Sequence, residues 1–459
     1  MHFEAINPAT GELLQRLPVL NPVPCEARLQ ASFSAWQNWR YSAFLQRSQL
    51  LQALAGELRN SKDQLARLMA TEMGKPLQEG LAEVEKSAWV CDYYAEQGPA
   101  QLKPQPVATE AHKSYVTYQP LGPILAIMPW NFPIWQVLRC SAPALMAGNA
   151  VLLKHAPNVP GCAAALETLW HAALQAVAAP VDLFLHLPVS AEAIPALIQR
   201  PEIQAVTLTG STRAGRAVAA QAGAALKKTV LELGGSDPYL ILADADLAAA
   251  ARLCARSRLI NAGQSCIAAK RLIVDRSVKA EFEYLLLAEM QQAVMGDPLH
   301  PATTLGPLAR SDLRETLHHQ VSQSLAAGAR CLLGGELPPG PGWFYPATVL
   351  TDVVPGMPAF DEELFGPVAV VIAASDTPEA VRLANHSRYG LGAAVFSQNI
   401  ALAEQIAAEQ LQAGCAFVND FVKSDPRLPF GGVRESGYGR ELGPWGLHEF
   451  VNIKTVFVA

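Results

Sequence analysis

The chain is 459 residues long; half of its residues are hydrophobic and 17% are charged. Its 35 Lys and Arg against 41 Asp and Glu leave a net charge of −6, and like charges form no block. Such a composition excludes a disordered chain, and it disfavours nucleic acid and acidic membrane surfaces as partners.

Cysteine usage and targeting patterns indicate the compartment. The eight cysteines are scattered without C-x-x-C spacing, which argues against a disulfide framework and gives no metal-ligand pattern. The segment Met1–Gly11 is polar, unlike a signal peptide, and the longest apolar runs, such as Leu121–Met128, are too short to cross a membrane. We therefore expect a reduced, cytoplasmic protein that contacts no membrane and holds no metal.

Helical and strand patterns succeed one another along the chain. Residues 26–98 carry helical periodicity, whereas beyond residue 121 short apolar runs alternate with Ala-rich helical stretches. This alternation predicts βαβ units and a parallel sheet buried on both faces. The predicted strands are Ile124–Pro129, Ala150–Lys154, Leu183–Leu187, Gln204–Leu208 and Thr229–Glu232, and the predicted helices are Trp135–Ala147, Gly161–Ala178, Ala191–Gln199 and Arg213–Ala224.

A second alternating series predicts another α/β domain after about residue 235. Its predicted elements are strands Arg271–Asp275, Val368–Ala373, Ala393–Phe396 and Ala416–Asn419, and helices Leu247–Ile260, Val278–Val294 and Ser311–Ala327, with two more beginning near Thr377 and Ile400. The terminal segment Glu449–Val458 is strand-like but too short to stand alone. We expect it to pair with Lys113–Gln119 or with another subunit.

Two segments combine a reactive side chain with a glycine turn. Cys266 follows Gly263-Gln264-Ser265, and Glu232 precedes Leu233-Gly234-Gly235. A free cysteine is most often a buried small hydrophobe, and a glutamate in such a turn is most often solvated. Where a carboxylate is available as a base, however, the thiol becomes a candidate nucleophile for covalent catalysis.

Three further candidates follow predicted parallel strands, at the edge where ligands bind in open α/β sheets. Asn131, between two prolines, carries an amide that suits an oxyanion, although an Asx turn explains it as well. Thr209–Gly215 opens a helix whose first N–H groups suit a phosphate, but it matches neither G-x-G-x-x-G nor Walker A. Lys154 either reaches a ribose or phosphate or is solvated.

Taken together, the order and spacing of these segments resemble the NAD(P)-dependent aldehyde dehydrogenase family along the whole chain. Within that family, Lys423–Phe430 and Lys154–Asn158 resemble a bacterial succinate-semialdehyde dehydrogenase branch. The other matching segments are Asn7–Gly11, Glu362–Pro367, Pro429–Gly432 and Ser436–Glu441.

The resemblance implies an α/β fold with two doubly wound domains and a small β oligomerisation arm. The Rossmann-like cofactor-binding domain would comprise residues 1–111 and 120–234, and the catalytic domain residues 235–431. The arm would comprise residues 112–119 and 446–459, and it implies a homodimer or a homotetramer.

The resemblance also implies catalytic roles for three residues. Cys266 would attack the aldehyde carbon as a thiolate and form a thiohemiacetal. Asn131 and the Cys266 backbone N–H would stabilise the oxyanion. After hydride transfer, Glu232 would act as general base for the water that hydrolyses the thioester.

The residues implied for cofactor binding come from several loops: Trp130, Lys154, Gly210, Ser211, Gly234, Glu363 and Phe365. Many NAD-preferring relatives carry Glu three residues after the lysine, where this chain has Pro157. That position offers neither a carboxylate to repel a 2′-phosphate nor a donor to bind one. The cofactor is therefore expected to be NAD or NADP, with the preference open.

Substrate recognition is implied for Arg139 and Ser424. In semialdehyde-oxidising relatives an arginine eight residues after the asparagine binds the distal carboxylate, which suits a guanidinium; a salt bridge is the structural alternative for Arg139. Some relatives carry a second arginine where this chain has Ile260.

We therefore expect a hydrolytic dehydrogenase for a short aldehyde with a distal anion, above all succinate semialdehyde. A sulfonated aldehyde such as sulfolactaldehyde is the rival substrate, because Arg139 would bind a sulfonate as well as a carboxylate. A CoA-acylating enzyme and a non-catalytic protein on the same fold are the alternatives from other classes. The presence of Glu232 argues against the first, and the presence of Cys266 and Asn131 argues against the second.

Overall fold

The computed structural model describes residues 2–459 and contains two large sheets, a three-stranded sheet and an N-terminal hairpin. The strands in chain order are β1 His2–Ile6, β2 Leu13–Pro18, β3 Gln105–Pro106, β4 Lys113–Pro120, β5 Pro123–Met128, β6 Ala150–His155, β7 Phe184–His186, β8 Ala205–Thr209, β9 Lys228–Glu232, β10 Asp237–Ile241, β11 Ala269–Asp275, β12 Arg330–Leu333, β13 Thr348–Thr351, β14 Val368–Ala374, β15 Gly392–Phe396, β16 Cys415–Val418, β17 Gly437–Tyr438 and β18 Val451–Val458.

Helices cover the sheets and separate most of their parallel strands. In chain order they are α1 Pro22–Trp39, α2 Phe44–Asn60, α3 Lys62–Met73, α4 Leu77–Gln101, α5 Trp135–Met146, α6 Pro160–Ala176, α7 Ile194–Gln199, α8 Thr212–Ala224, α9 Leu247–Leu259, α10 Lys279–Met290, α11 Ser311–Ala326, α12 Pro358–Asp361, α13 Thr377–Asn385, α14 Ile400–Gln405 and α15 Gly443–Glu449. No helix within residues 2–459 is long and apolar enough to cross a bilayer.

The first large sheet has the strand order β17-β9-β8-β5-β6-β7 and is parallel except for β17. Its strands are buried along nearly their whole length, as unbroken apolar runs in a parallel sheet require. Helices α2, α4, α5 and α6 pack around one another beside this sheet and contribute to the same core. The helical texture of residues 26–98 thus corresponds to α1–α4.

The second large sheet has the order β12-β13-β14-β11-β10-β15-β16 and is parallel except for β12. Two apolar clusters lie against it: one includes Leu240, Ile273 and Val370, and the other includes Tyr239, Leu272 and Val371. Neighbouring residues of each strand belong to different clusters because side chains alternate between the two faces of a sheet. The prediction of a second α/β unit is confirmed.

The C-terminal strand β18 pairs antiparallel with β4, from Val451 opposite Pro120 to Val458 opposite Lys113. Of the two partners that the sequence left open, the structure therefore shows the one within the same chain. Strand β3 adds to the other side of β4, so β18 is an edge strand. Residues 446–449, expected in the arm, belong to helix α15.

Several predicted boundaries differ from the structure. Helix α10 ends at Met290 rather than at Val294, and the helix predicted from Ala191 begins as a single 3-10 turn before α7. Strands β10, β12 and β13 were not predicted. The largest of these omissions is β10, because it lies between β11 and β15 near the centre of its sheet.

Candidate active site

The candidate site lies where the first sheet's carboxyl edge meets segments that lead into the second sheet. Asn131 follows β5, Ser211 follows β8 and Glu232 ends β9, so these residues share one sheet edge. Cys266 and Phe365 come before β11 and β14 instead, near the amino edge of the second sheet. The predicted catalytic and cofactor residues are therefore distributed over two facing edges.

Cys266 is positioned by an irregular turn after α9. Asn261 and Ala262 have φ values of 55° and 52°, and Gly263 has φ of 73°. A Cβ at Gly263 would lie 2.2 Å from the Gly366 carbonyl oxygen, so only glycine fits this close approach. The turn brings the partly exposed Cys266 thiol to the wall of a cavity.

Asn131 is tied to this turn by hydrogen bonds in both directions. Its Nδ2 donates to the Gln264 carbonyl oxygen at 3.0 Å. Its own carbonyl oxygen accepts from Asn261 Nδ2 at 2.7 Å and from Lys75 Nζ at 2.9 Å. These bonds fix the amide beside the nucleophile loop, as an oxyanion donor requires.

Lys270, four residues after Cys266, also stabilises this turn through hydrogen bonds. Its Nζ donates to the carbonyl oxygens of Ser265 at 2.8 Å and of Cys266 at 2.7 Å. It also lies 3.4 Å from the Glu363 carboxylate. A buried cation thus connects the candidate nucleophile with a residue expected to bind the cofactor.

Charges of both signs act on the Cys266 thiol. Burial raises its pKa to about 12, while the positive charges of Lys270 and Arg139 lower it and the carboxylates of Glu232 and Glu363 raise it. Since the thiolate is the nucleophilic form, the two cations favour the reactive state.

Glu232 is 2% exposed at the end of β9, and burial raises the pKa of its carboxyl. The positive charge of Arg139 lowers this pKa, while Glu441 raises it. A carboxyl that is easily protonated matches a general base better than a permanently ionised one.

Arg139 itself forms an ion pair with Glu441, and both side chains are only 3% exposed. Its Nη2 also donates to Thr209 Oγ1 at 3.3 Å, and its guanidinium lies 4.9 Å from the Phe430 ring centre. The salt bridge that the sequence left as an alternative for Arg139 is therefore present, in the interior rather than on the surface. Its predicted carboxylate-binding role stays a prediction.

A cavity of about 650 Å³ opens in front of Cys266. Both predicted substrate residues, Arg139 and Ser424, line it, and so does Ile260. Lys86 lines it as well and donates to Ser424 Oγ at 2.8 Å. Apolar side chains complete much of the wall: Phe132, Trp135, Ile267, Phe421 and Phe430. Glu232 and Asn131 lie outside these walls.

The residues expected to bind the cofactor fall into two groups. Gly210 and Ser211 precede the 13-residue helix α8, where the Ser211 side chain accepts from the Ala214 N–H at 3.3 Å. Lys154 lies near the end of β6, which β5 separates from β8 in the same sheet, and Pro157 is exposed in the turn that follows. Gly210 and Ser211 thus lie at a helix N-terminus, which suits a pyrophosphate.

The second group surrounds the glycines after Glu232. Glu363 Oε1 accepts from the Gly235 N–H at 3.0 Å, and a Cβ at Gly234 would lie 2.4 Å from Glu363 Oε2. Trp130 and Phe365 pack edge to face with ring centres 5.9 Å apart. Trp130, predicted at the adenine-side ribose, thus contacts Phe365, predicted at the nicotinamide. Acceptors, aromatic rings and close backbone occur together here, so the residues fit a dinucleotide. No cluster of acidic, His and Cys side chains in residues 2–459 would hold a metal ion.

Sequence reasoning missed the charged residues that support the site, namely the buried Lys75, Glu83 and Lys270 and the partly buried Lys86. Glu441 lay inside a matching segment but was given no role. Helix periodicity places Glu83 and Lys86 on one face of α4, yet nothing local shows that this face meets residues beyond position 130.

Comparison with known proteins identifies the family. The model of the aldehyde dehydrogenase family matches residues 1–456. The chain is 47% identical to the succinate semialdehyde dehydrogenase Sad of Escherichia coli, named for NAD(P)+, over 99% of this chain and 98% of that one. It is 45% identical to a probable succinate-semialdehyde dehydrogenase of Synechocystis sp., named for NADP+, over the whole of both chains.

A solved structure agrees in fold along the same length. The succinic semialdehyde dehydrogenase from Streptococcus pyogenes, crystallised with NADP+, superposes with a TM-score of 0.96 at 36% identity, covering 99% of each chain. The chain therefore belongs to the aldehyde dehydrogenase family and is an oxidoreductase.

Proposed function

We propose that this chain oxidises succinate semialdehyde to succinate with NAD+ or NADP+. The observation that carries the proposal is one cavity that holds both the Cys266 thiol and, on its wall, cationic and hydroxyl side chains. The thiol meets the aldehyde end of a short substrate, and the polar wall meets the anionic end. The names of the relatives from Escherichia coli, Synechocystis sp. and Streptococcus pyogenes support the same substrate.

The first half of the reaction depends on Cys266. Its thiolate sulfur forms a bond with the aldehyde carbon, and the carbonyl oxygen takes the negative charge. Asn131 Nδ2 has one N–H on Gln264, which leaves its second N–H for this oxygen, together with the Cys266 backbone N–H. The dinucleotide, when bound, supplies the hydride acceptor that makes the aldehyde an acyl group.

The second half releases the acid. The acyl group is then bound to Cys266 as a thioester, and Glu232 removes a proton from the attacking water while the carbon–sulfur bond breaks. The buried setting of Glu232 raises its pKa and so makes it a stronger base once ionised. Hydrolysis by this route needs no CoA.

The proposed cofactor contacts combine the two groups described above. Gly210 and Ser211 at the start of α8 would hold the pyrophosphate, and Lys154 and Trp130 the adenine-side ribose. Gly234, Glu363 and Phe365 would position the nicotinamide half. Lys270 orients Glu363 for this contact, since their side chains lie 3.4 Å apart.

The test is a comparison of kcat/KM for succinate semialdehyde, glutarate semialdehyde, a sulfonated short aldehyde and butanal, each with NAD+ and NADP+ and without CoA. We expect the highest value for succinate semialdehyde. A higher value for the sulfonated aldehyde would favour that substrate instead. Turnover only on addition of CoA would overturn the hydrolytic mechanism.

We also propose that the protein is a cytoplasmic homodimer or homotetramer. The edge strand β18 leaves a row of backbone groups for pairing, and Ile453 and Phe457 on it are 62% and 51% exposed. Exposed apolar edge strands promote association between chains. A second copy of this chain would cover both features.

A further inference from the structure

Lys86 is a cation of the substrate cavity that has no acidic partner. No carboxylate within residues 2–459 lies within 4.0 Å of its Nζ, and its hydrogen bond goes to the Ser424 hydroxyl oxygen. Arg139, a buried cation of the same cavity, is already paired with Glu441. The two cations therefore differ in how much of their charge is free for a ligand.

Helix α4 holds Lys86 firmly in place. Glu83, one turn earlier on the same face, accepts from the backbone N–H groups of Ile134 and Trp135 at 2.9 and 3.0 Å. This contact fixes α4 against the start of α5. The Lys86 ammonium then lies 4.5 Å from the centre of the Trp135 ring. The cation is thus preorganised by packing and by a cation–π contact.

Ser424 completes a pair of donors. Its oxygen accepts from Lys86, so its own O–H remains to donate, and the ammonium has further N–H groups. Two adjacent donors match the two oxygens of a carboxylate. Lys86 is partly buried, so a charge-assisted hydrogen bond at this place is stronger than one on the surface.

We propose that Lys86, together with Ser424, binds the distal carboxylate of the substrate and sets the preference for a semialdehyde over a neutral aldehyde. This inference rests on the proposed function and names its principal specificity-determining residue. Arg139 is paired with Glu441, and its charge acts on Glu232. Lys86 carries the recognition because, within residues 2–459, no carboxylate forms a salt bridge with its ammonium.

The experiment compares Lys86→Met with wild type on succinate semialdehyde and on butanal, which has no carboxylate. Methionine keeps the apolar length of the side chain and removes the charge. We expect the ratio of the two kcat/KM values to fall about 10- to 150-fold, as loss of one charge-assisted hydrogen bond predicts, mainly through KM. Lys86→Arg keeps the charge and should restore most of the ratio.

Lys423→Met is the matched control. Lys423 lines the same cavity next to Ser424, but it is half exposed and pairs with Asp420. Removing this screened charge should change the ratio less than about threefold. Thermal melting and cofactor binding verify the fold of each variant, and Lys86→Gln replaces Lys86→Met if the latter does not fold.

The outcomes separate the two proposals. If wild type prefers butanal, the proposed function fails. Suppose that wild type prefers succinate semialdehyde but the ratio of the two kcat/KM values in Lys86→Met stays within about twofold of wild type. In that case, or if both activities fall equally, Lys86 does not bind the carboxylate. If the ratio falls equally in Lys423→Met, the effect comes from the overall positive charge of the cavity, and the inference is again overturned.

Discussion

At the residue scale, Cys266 combines a raised pKa with two cations that favour its thiolate. The thiol is partly exposed to the cavity, whereas five of the other cysteines are buried, Cys415 is partly exposed outside the cavity walls and Cys331 is exposed on the surface. Cys266→Ala should lower turnover by about 10⁴-fold or more, because it removes the nucleophile, and should leave cofactor binding measurable by fluorescence. Cys331→Ala is the control and should keep wild-type turnover; substantial activity in Cys266→Ala would contradict the thioester mechanism.

Glu232 allows the two half-reactions to be separated. Glu232→Gln keeps the shape of the side chain but removes the base, so the thioester should accumulate. Stopped-flow absorbance should show a burst of reduced cofactor near one equivalent, followed by a slow steady state. Absence of any burst would show that Glu232 also accepts the proton of the Cys266 thiol, a role distinct from that of its charge, which raises the pKa of this thiol.

Lys86 makes the substrate preference depend on pH. Burial lowers its pKa to about 8; Arg139 and Lys423 lower it too, while Asp425 and Glu83 act in the opposite direction. Lys86 is charged below this pKa and neutral above it. The ratio of kcat/KM for succinate semialdehyde to that for butanal should therefore fall, by up to about tenfold, between roughly pH 7 and 9.

The ionisation of Cys266 and Glu232 does not change this ratio, because both substrates need these groups and both kcat/KM values change equally. Lys86→Arg is the control, since a guanidinium remains charged over this range and should give a flat ratio. A parallel fall in wild type and Lys86→Arg would assign the pH dependence to another group.

The sequence predicted the candidate reacting groups but not the residues that support them. Cys266, Asn131 and Glu232 lie in short turn segments that are ambiguous alone, and their order and spacing along the chain carry the resemblance that gives them roles. Lys86 and Lys270 are ordinary lysines in a helix and at the start of a strand, and their roles arise from contacts with Ser424 and with the carbonyl of Cys266. Such contacts join distant parts of the chain, so no local pattern contains them.

At the element scale, strand β10 shows why one central strand was missed. It begins Asp237-Pro238, and proline lacks the N–H that a central strand normally donates, so the pattern argues against a strand. The structure accommodates Pro238 because the register with β11 shifts between Asp237 and Pro238. The five parallel strands of the first sheet, β5 to β9, carried no such interruption, and their apolar runs predicted them to within one or two residues; β17 was not predicted.

The turn after β6 is expected to influence the choice between NAD+ and NADP+. Lys154 lies in the strand, and Pro157 is exposed three residues later. Pro157→Glu would place a carboxylate beside the adenine-side ribose, where it would accept the ribose hydroxyls and repel a 2′-phosphate. The ratio of kcat/KM with NAD+ to that with NADP+ should rise about tenfold, as expected for one charge-assisted contact. Pro157→Gln keeps the size without the charge and should shift the ratio less.

At the scale of the whole molecule, the site depends on two sheets that present opposite edges to each other. The carboxyl edge of the first sheet carries Asn131 and Glu232, and the amino edge of the second receives Cys266. This arrangement is not visible in either domain's pattern alone, since each pattern predicts only its own sheet. The family resemblance predicted that residues of both domains form one site. Lys75 and Lys270 stabilise this site through hydrogen bonds to the carbonyl oxygens of Asn131 and Cys266.

The last prediction concerns the assembly. Ile453→Lys places a charge on the exposed face of β18, where a second copy would bury it, so the mass measured by light scattering should fall toward that of one chain. Ile453 is 62% exposed and pairs only with Tyr118 of the neighbouring strand β4. Tyr284→Lys, on the exposed face of α10, is the control and should leave the mass unchanged. An unchanged mass in Ile453→Lys, with wild type larger than one chain, would place the interface on another surface.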